Sequence, residues 1–259
     1  METRRRPSVG ALIGGIVLIV VGIAFLLQNA GVVRVDWGVL WPALIIAIGA
    51  VFIVGALWRR DAGPGETHVT IPPDGVTRLD LALRVGAGRY HLGAGTGALV
   101  DVVAGGPTIE HRVERAGDAA RVRLSTAVDS WSWGRVMGGT DWQIGVTPGI
   151  PVNLDVQAGA GDFVLDLSTL EVTGVRCAIG AAELRVVLPR PRGDVPIRVE
   201  GGASQFIFVV PPGVEARVSV SGLVTTSGPS ETPGYATARD RVTVSVTGGA
   251  AAVQVVPGT

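Results

Sequence analysis

Two long apolar segments dominate the first sixty residues, and alternating apolar and polar positions dominate the rest of the chain. Residues 9–27 carry no charge, and a helix of that length spans about 30 Å, the thickness of a bilayer core. After a polar interruption, residues 39–58 form a second apolar segment, with Pro42 in its first turn, where the missing N–H costs little. The pattern predicts a transmembrane hairpin over residues 1–60, with the lipid bilayer as a partner. A signal peptide is the alternative for the first segment, but a second span follows at once and no A-x-A-like cleavage site lies between them.

Arginine placement predicts the orientation of this hairpin. Residues 4–6 are three arginines before the first span, and residues 59–60 are two more after the second. The connecting loop carries only Arg34, beside Asp36. Because positive residues favour the cytoplasmic side, we expect a multi-pass protein of the cell membrane with both termini in the cytoplasm.

The remainder of the chain reads as a β-domain. Glycine and proline at positions 63–65 indicate a linker over residues 61–68, and residues 69–259 alternate apolar and polar positions between Gly/Pro turns. Residues 98–150 are predicted to form a meander with hairpins, including a turn at 116–118. Residues 225–241 form a polar stretch with two prolines that favours a flexible insertion.

One short unit recurs five times in this domain: apolar alternation, a glycine, and apolar alternation again. The central three copies repeat with a period near 21 residues. Such a period is typical of stacked repeats that build one continuous core, as in a β-solenoid, and glycine would permit a positive φ or a tight bend between two strands. The glycines assigned to these kinks are Gly86, Gly159, Gly180, Gly202 and Gly249.

A glycine-rich loop after a strand also occurs in nucleotide-binding sites, but three observations favour the structural interpretation. The motif recurs too often to be a single site. An extended apolar run follows it, not a helix that would hold phosphate at its N-terminus. All 22 basic residues are arginine, so no lysine exists to contact a phosphate or form a Schiff base.

The chemistry of the chain offers little for catalysis. Its three histidines lie far apart in sequence, and no common catalytic or metal-binding motif occurs. Cys177 falls in phase with inward-facing side chains, which favours a core residue over a nucleophile. The formal net charge of zero gives no field for nucleic acid. We therefore expect no enzyme activity, no catalytic residue, no cofactor, no metal site and no nucleic-acid partner.

Tryptophan marks the most distinctive segment outside the repeats. Trp131, Trp133 and Trp142 lie within a Gly-rich stretch and would form either a contact patch for a partner or the membrane, or a cap on one end of the core.

The membrane segment resembles the LiaI-LiaF-like transmembrane region. The matching features are Gly22, the run at 27–29 with Gly31, and Leu40-Trp41-Pro42 at the start of the second helix. The glycine-kinked domain resembles the LiaF C-terminal domain and the related toastrack and adhesin-like β-domains. Together these predict a membrane α-hairpin followed by an all-β, solenoid-like or toastrack-like domain.

The resemblance implies a bacterial protein of envelope-stress sensing that acts by binding. Members of the LiaF type hold a membrane histidine kinase in check, so a sensor kinase is one expected partner and a second copy of the chain is another. The alternative functions are a self-assembling β-scaffold and an externally displayed, adhesin-like domain.

Overall fold

The computed structural model describes residues 66–105, 109–126 and 140–258, all within one compact unit, Pro64–Thr259. The predicted hairpin, Trp131 and Trp133 lie outside these residues. Within them, no helix is long and apolar enough to cross a membrane. The strands are β1 (Glu66–Ile71), β2 (Arg78–Ala94), β3 (Val100–Gly105), β4 (Ile109–Ala116), β5 (Ala119–Thr126), β6 (Asp141–Val146), β7 (Pro151–Asp166), β8 (Glu171–Val187), β9 (Asp194–Val210), β10 (Ala216–Ser227) and β11 (Arg241–Pro257).

Five of these strands are unusually long and carry the predicted repeats. β2, β7, β8 and β9 lie side by side in parallel, followed by β11 and then β10. Strands β7, β8 and β9 are consecutive in both sequence and space, so each turn of chain returns to lie beside the one before it. This is the arrangement expected of a β-solenoid, and the all-β prediction is confirmed.

The side-chain phase changes in the middle of each long strand. In β8, Val175, Cys177 and Ile179 are buried before the central glycine, and Leu184 and Val186 are buried after it. Side chains five residues apart on a straight strand point to opposite faces. Residues of both halves belong to one buried cluster. The strand must therefore change direction in the largely exposed segment 180–183 between them.

On the side of β2 away from β7, its two halves pair with different strands. Residues 78–84 of β2 pair in parallel with β5, which forms a hairpin with β4. Residues 89–94 pair in parallel with β6, which continues to β3 and β1. The predicted turn at 116–118 is confirmed, with Gly117 at a φ of 62°. The predicted meander is wrong, because β3 pairs with β6 and β1, whereas β4 pairs with β5.

Candidate interaction surface

The five predicted kink glycines lie at the exposed bends of β2, β7, β8, β9 and β11. None of the five has a positive φ. What they permit is close approach: a Cβ at Gly202 would lie 2.7 Å from the carbonyl oxygen of Gly180. A Cβ at Gly249 would lie 3.3 Å from the oxygen of Gly202, and one at Gly159 3.4 Å from that of Gly86. The glycines therefore form a line along which neighbouring strand backbones pack closely.

A shallow groove of about 580 Å³ runs beside this line, between β8, β9 and β11. Glycine, alanine, isoleucine and threonine supply most of its walls, and Glu200 is its ionisable side chain. General acid–base chemistry needs a positioned proton donor or acceptor with a supporting partner. Apart from Glu200, the residues that line this groove carry no ionisable group.

Of the three tryptophans, the structure describes Trp142. Trp142 is fully buried in β6, opposite Tyr90 of β2, and their rings meet edge to face at 5.7 Å. Tyr90 also stacks on Phe163 of β7 at 4.9 Å. Trp142 is therefore a core residue and is not available to a contact patch. Trp131 and Trp133 fall outside the described residues.

The single cysteine is buried in the core, and the three histidines lie at the surface on three different strands. Cys177 is fully buried, which confirms its predicted core position, and burial raises the pKa of its thiol to about 12. His68 pairs with Asp101 at 2.8 Å on the surface, whereas His91 and His111 are exposed on separate strands. No group of three or more metal-ligating side chains occurs among the residues that the structure describes.

The insertion predicted at residues 225–241 begins at the end of β10 and packs against the domain through Tyr235. Its Tyr235 is 5% exposed and hydrogen-bonds to Thr243 of β11 at 2.8 Å. The guanidinium of Arg217 lies 4.3 Å from the centre of that ring. Glu215 accepts hydrogen bonds from the Thr232 hydroxyl and, at 3.0 Å, from the Gly234 amide.

The same insertion covers only part of β10, the last strand of the sheet. The Val218 amide donates to the Ser230 carbonyl at 2.7 Å, and the Thr232 amide donates to the Ala216 carbonyl at 2.9 Å. Beyond Val218, β10 has β11 as its strand partner within the described part of the chain. Among the described residues, no strand therefore lies beside the backbone groups on its outer edge from residue 219 to 227.

Two apolar side chains stand out on this open edge. Val220 is 39% exposed and Leu223 is 79% exposed, and they are the large exposed hydrophobic residues of the described ranges. No charged residue lies between Arg217 and Glu231. This edge was not predicted from the sequence, although the uncharged run Ser219–Ser227, which alternates valine and serine before its glycine, is the signal for it.

Models of known protein families match both parts of the chain. Residues 61–207 match the family model described as the N-terminal domain of toast_rack, DUF2154, and residues 12–53 match the LiaI-LiaF-like transmembrane region, which indicates membrane association. No curated protein matches. A proposed cell adhesion protein from Clostridium sporogenes has a similar fold, with a TM-score of 0.68 and 17% identity over 75% of this chain and 100% of the other. A proposed adhesin from Bacteroides fragilis gives a TM-score of 0.27 at 11% identity, over 74% of this chain and 96% of the other.

The toast_rack match ends within β9, yet β11 pairs with β9 from Arg241 to Pro257 and continues the same sheet. The resemblance found in the sequence is thus confirmed for both segments. Because the toast_rack model matches more than half of this chain, the chain belongs to the toast_rack family. It also carries a LiaI-LiaF-like transmembrane region before its β-domain.

Proposed function

We propose that this protein is a non-enzymatic, membrane-anchored regulator of the bacterial envelope-stress response that modulates a membrane histidine kinase by binding. One observation carries the proposal: a LiaI-LiaF-like transmembrane region and a toast_rack domain occur in the same chain. This combination resembles the LiaF type of regulator, which holds its kinase in check.

The described domain supports action by binding. The buried Cys177 is unsuited to nucleophilic attack because the thiolate is the reactive form and burial disfavours it. The glycine groove and the β10 edge offer backbone and small apolar side chains, which suit contact with another protein surface.

Orientation determines which part of a kinase the domain could reach. The arginines at positions 4–6 and 59–60 favour cytoplasmic termini, and the β-domain follows the second arginine group in the chain. A cytoplasmic β-domain would lie on the side of the membrane where a sensor kinase carries out phosphoryl transfer.

Two experiments test this proposal. Reporters that are active only in the cytoplasm or only outside it are each fused after Thr259, and we expect signal from the cytoplasmic reporter. The full chain is then purified from detergent-solubilised membranes and probed for the sensor kinases of the same genome. Recovery of one kinase, lost when residues 1–60 are replaced by an unrelated two-span hairpin, would indicate binding through the membrane segment.

External display is the competing function, and its support is the likeness in fold to a proposed cell adhesion protein. It requires the opposite topology. Signal from the external reporter alone would exclude a cytoplasmic kinase regulator, and the search would then turn to cell-wall ligands.

A further inference from the structure

We propose that the open half of β10 pairs antiparallel with β10 of a second copy, so that the protein forms a closed two-fold dimer through this edge. The inference goes beyond kinase regulation and does not depend on it. It rests on the edge backbone of residues 219–227 and on the exposed Val220 and Leu223.

Two of the features that usually prevent strand pairing, charged side chains and proline, are missing from this edge. Natural edge strands are protected by charged side chains, proline, bulges that twist the edge away or a covering segment. In β10 the covering segment stops at Val218, and residues 219–227 contain neither a charge nor a proline. A bulge is present between Gly222 and Val224, and it lies beside Leu223, the most exposed apolar side chain of the pair. An added strand would satisfy the edge backbone groups and remove Leu223 from water.

The charges on the edges favour a second copy in a closed dimer over a head-to-tail chain. At the other end of the sheet, β4 alternates charges along an exposed strand, with Glu110, Arg112 and Glu114 among them, and β1 carries Glu66 and His68. Those edges are protected in the usual way. Pairing β10 with itself brings no like charges together, and the described strands offer no second uncharged edge to extend the assembly.

Membrane attachment makes a small interface sufficient. A nine-residue strand edge buries less area than a standard protein–protein interface, so its affinity in dilute solution is expected to be modest. Copies anchored in one membrane have a raised effective concentration, which strengthens pairing without further contacts. The test therefore uses the full chain in its membrane.

Cross-linking through single cysteines tests the pairing directly. Leu223→Cys places a thiol on the β10 edge, and Glu114→Cys places one on the exposed β4 edge as the matched control. The natural Cys177 is fully buried, so the unmodified chain reports the background. After mild oxidation of intact membranes, we expect a covalent dimer from Leu223→Cys and monomer from Glu114→Cys and the unmodified chain.

A charge on the same edge provides the second test. Leu223→Lys should keep the melting temperature unchanged, because the side chain is 79% exposed. It should weaken self-association of the full chain in membrane vesicles roughly tenfold or more by juxtaposing like charges. Cross-linking of Leu223→Cys no stronger than that of Glu114→Cys would overturn the proposal. So would self-association of Leu223→Lys equal to that of the unmodified chain, or a ladder of higher species from a variant that carries both Leu223→Cys and Glu114→Cys.

Discussion

The line of kink glycines can be tested by comparing two positions that differ in one contact. Gly202 and Gly86 both lie at exposed bends of long strands, and neither has a positive φ. A Cβ added at Gly202 would lie 2.7 Å from the Gly180 oxygen, whereas a Cβ at Gly86 would meet nothing within 4 Å. Substituting alanine at each position therefore separates close backbone approach from the general effect of removing a glycine.

The expected free energies follow from this contact. Replacing glycine by alanine where the backbone allows it stabilises a protein by about 0.4–1 kcal/mol through the unfolded chain. Gly86→Ala should gain that amount. At Gly202 the neighbouring backbone must also move by several tenths of an ångström, and overpacking of this kind costs about 1–3 kcal/mol. Gly202→Ala should therefore be less stable than Gly86→Ala by about 1–3 kcal/mol.

Urea denaturation of residues 64–259, followed by circular dichroism, measures both variants against the unmodified domain. For a domain of this size, 1 kcal/mol corresponds to about 2–4 °C in melting temperature, so thermal scans provide a second readout. Equal changes in the two variants would refute the close packing of strand backbones at Gly202. A gain in stability for Gly202→Ala would refute it as well.

Three further predictions concern the core, its titration and the insertion. Trp142→Ala should destabilise the domain by about 3–5 kcal/mol in urea denaturation, since the side chain is fully buried; an effect below 1 kcal/mol would indicate an exposed indole. Burial raises the pKa values of Cys177 and Tyr90 to about 12, from 9.0 and 10.0 respectively. In the unfolded chain these groups ionise first, so the stability present below pH 9 should fall as the pH rises towards 12. Melting temperatures measured across this pH range should fall less steeply for Cys177→Ala and Tyr90→Phe. The same slope in these variants as in the unmodified domain would contradict this. Tyr235→Ala should speed amide hydrogen exchange in residues 228–240, whereas Tyr235→Phe should preserve most protection, and equal exchange in the two would contradict a packing role.

Local periodicity was enough to predict the repeats. The change of side-chain phase at each glycine is visible in the order of apolar residues, and the inward position of Cys177 follows from it. The same glycines were expected to permit either a positive φ or a tight bend. None of the five has a positive φ, although Gly161, two residues after Gly159 in β7, has a φ of 131°. A Cβ at Gly202 is excluded by the neighbouring backbone of β8, which the pattern of a single strand does not reveal.

Pairings between distant residues could not be predicted in this way. β11 lies between β9 and β10, although β10 comes first in the chain. This order leaves β10 at the edge, and it depends on contacts between residues 47 positions apart, such as Asp194 with Arg241. Trp142 is buried because β6 aligns it with Tyr90, a register that local alternation does not encode. The packing of the insertion could not be predicted for a similar reason, since Tyr235 contacts Arg217 of β10 and Arg241 of β11.

The most direct test of kinase regulation is a phosphorylation assay in proteoliposomes. The sensor kinase that co-purifies with the full chain is reconstituted alone, with the full chain, or with the variant whose residues 1–60 are replaced by an unrelated hairpin. A regulator of the LiaF type should lower the rate of kinase autophosphorylation, and the hairpin variant should leave it near that of the kinase alone. An unchanged rate with the full chain present in excess in the same vesicles would contradict the proposed function.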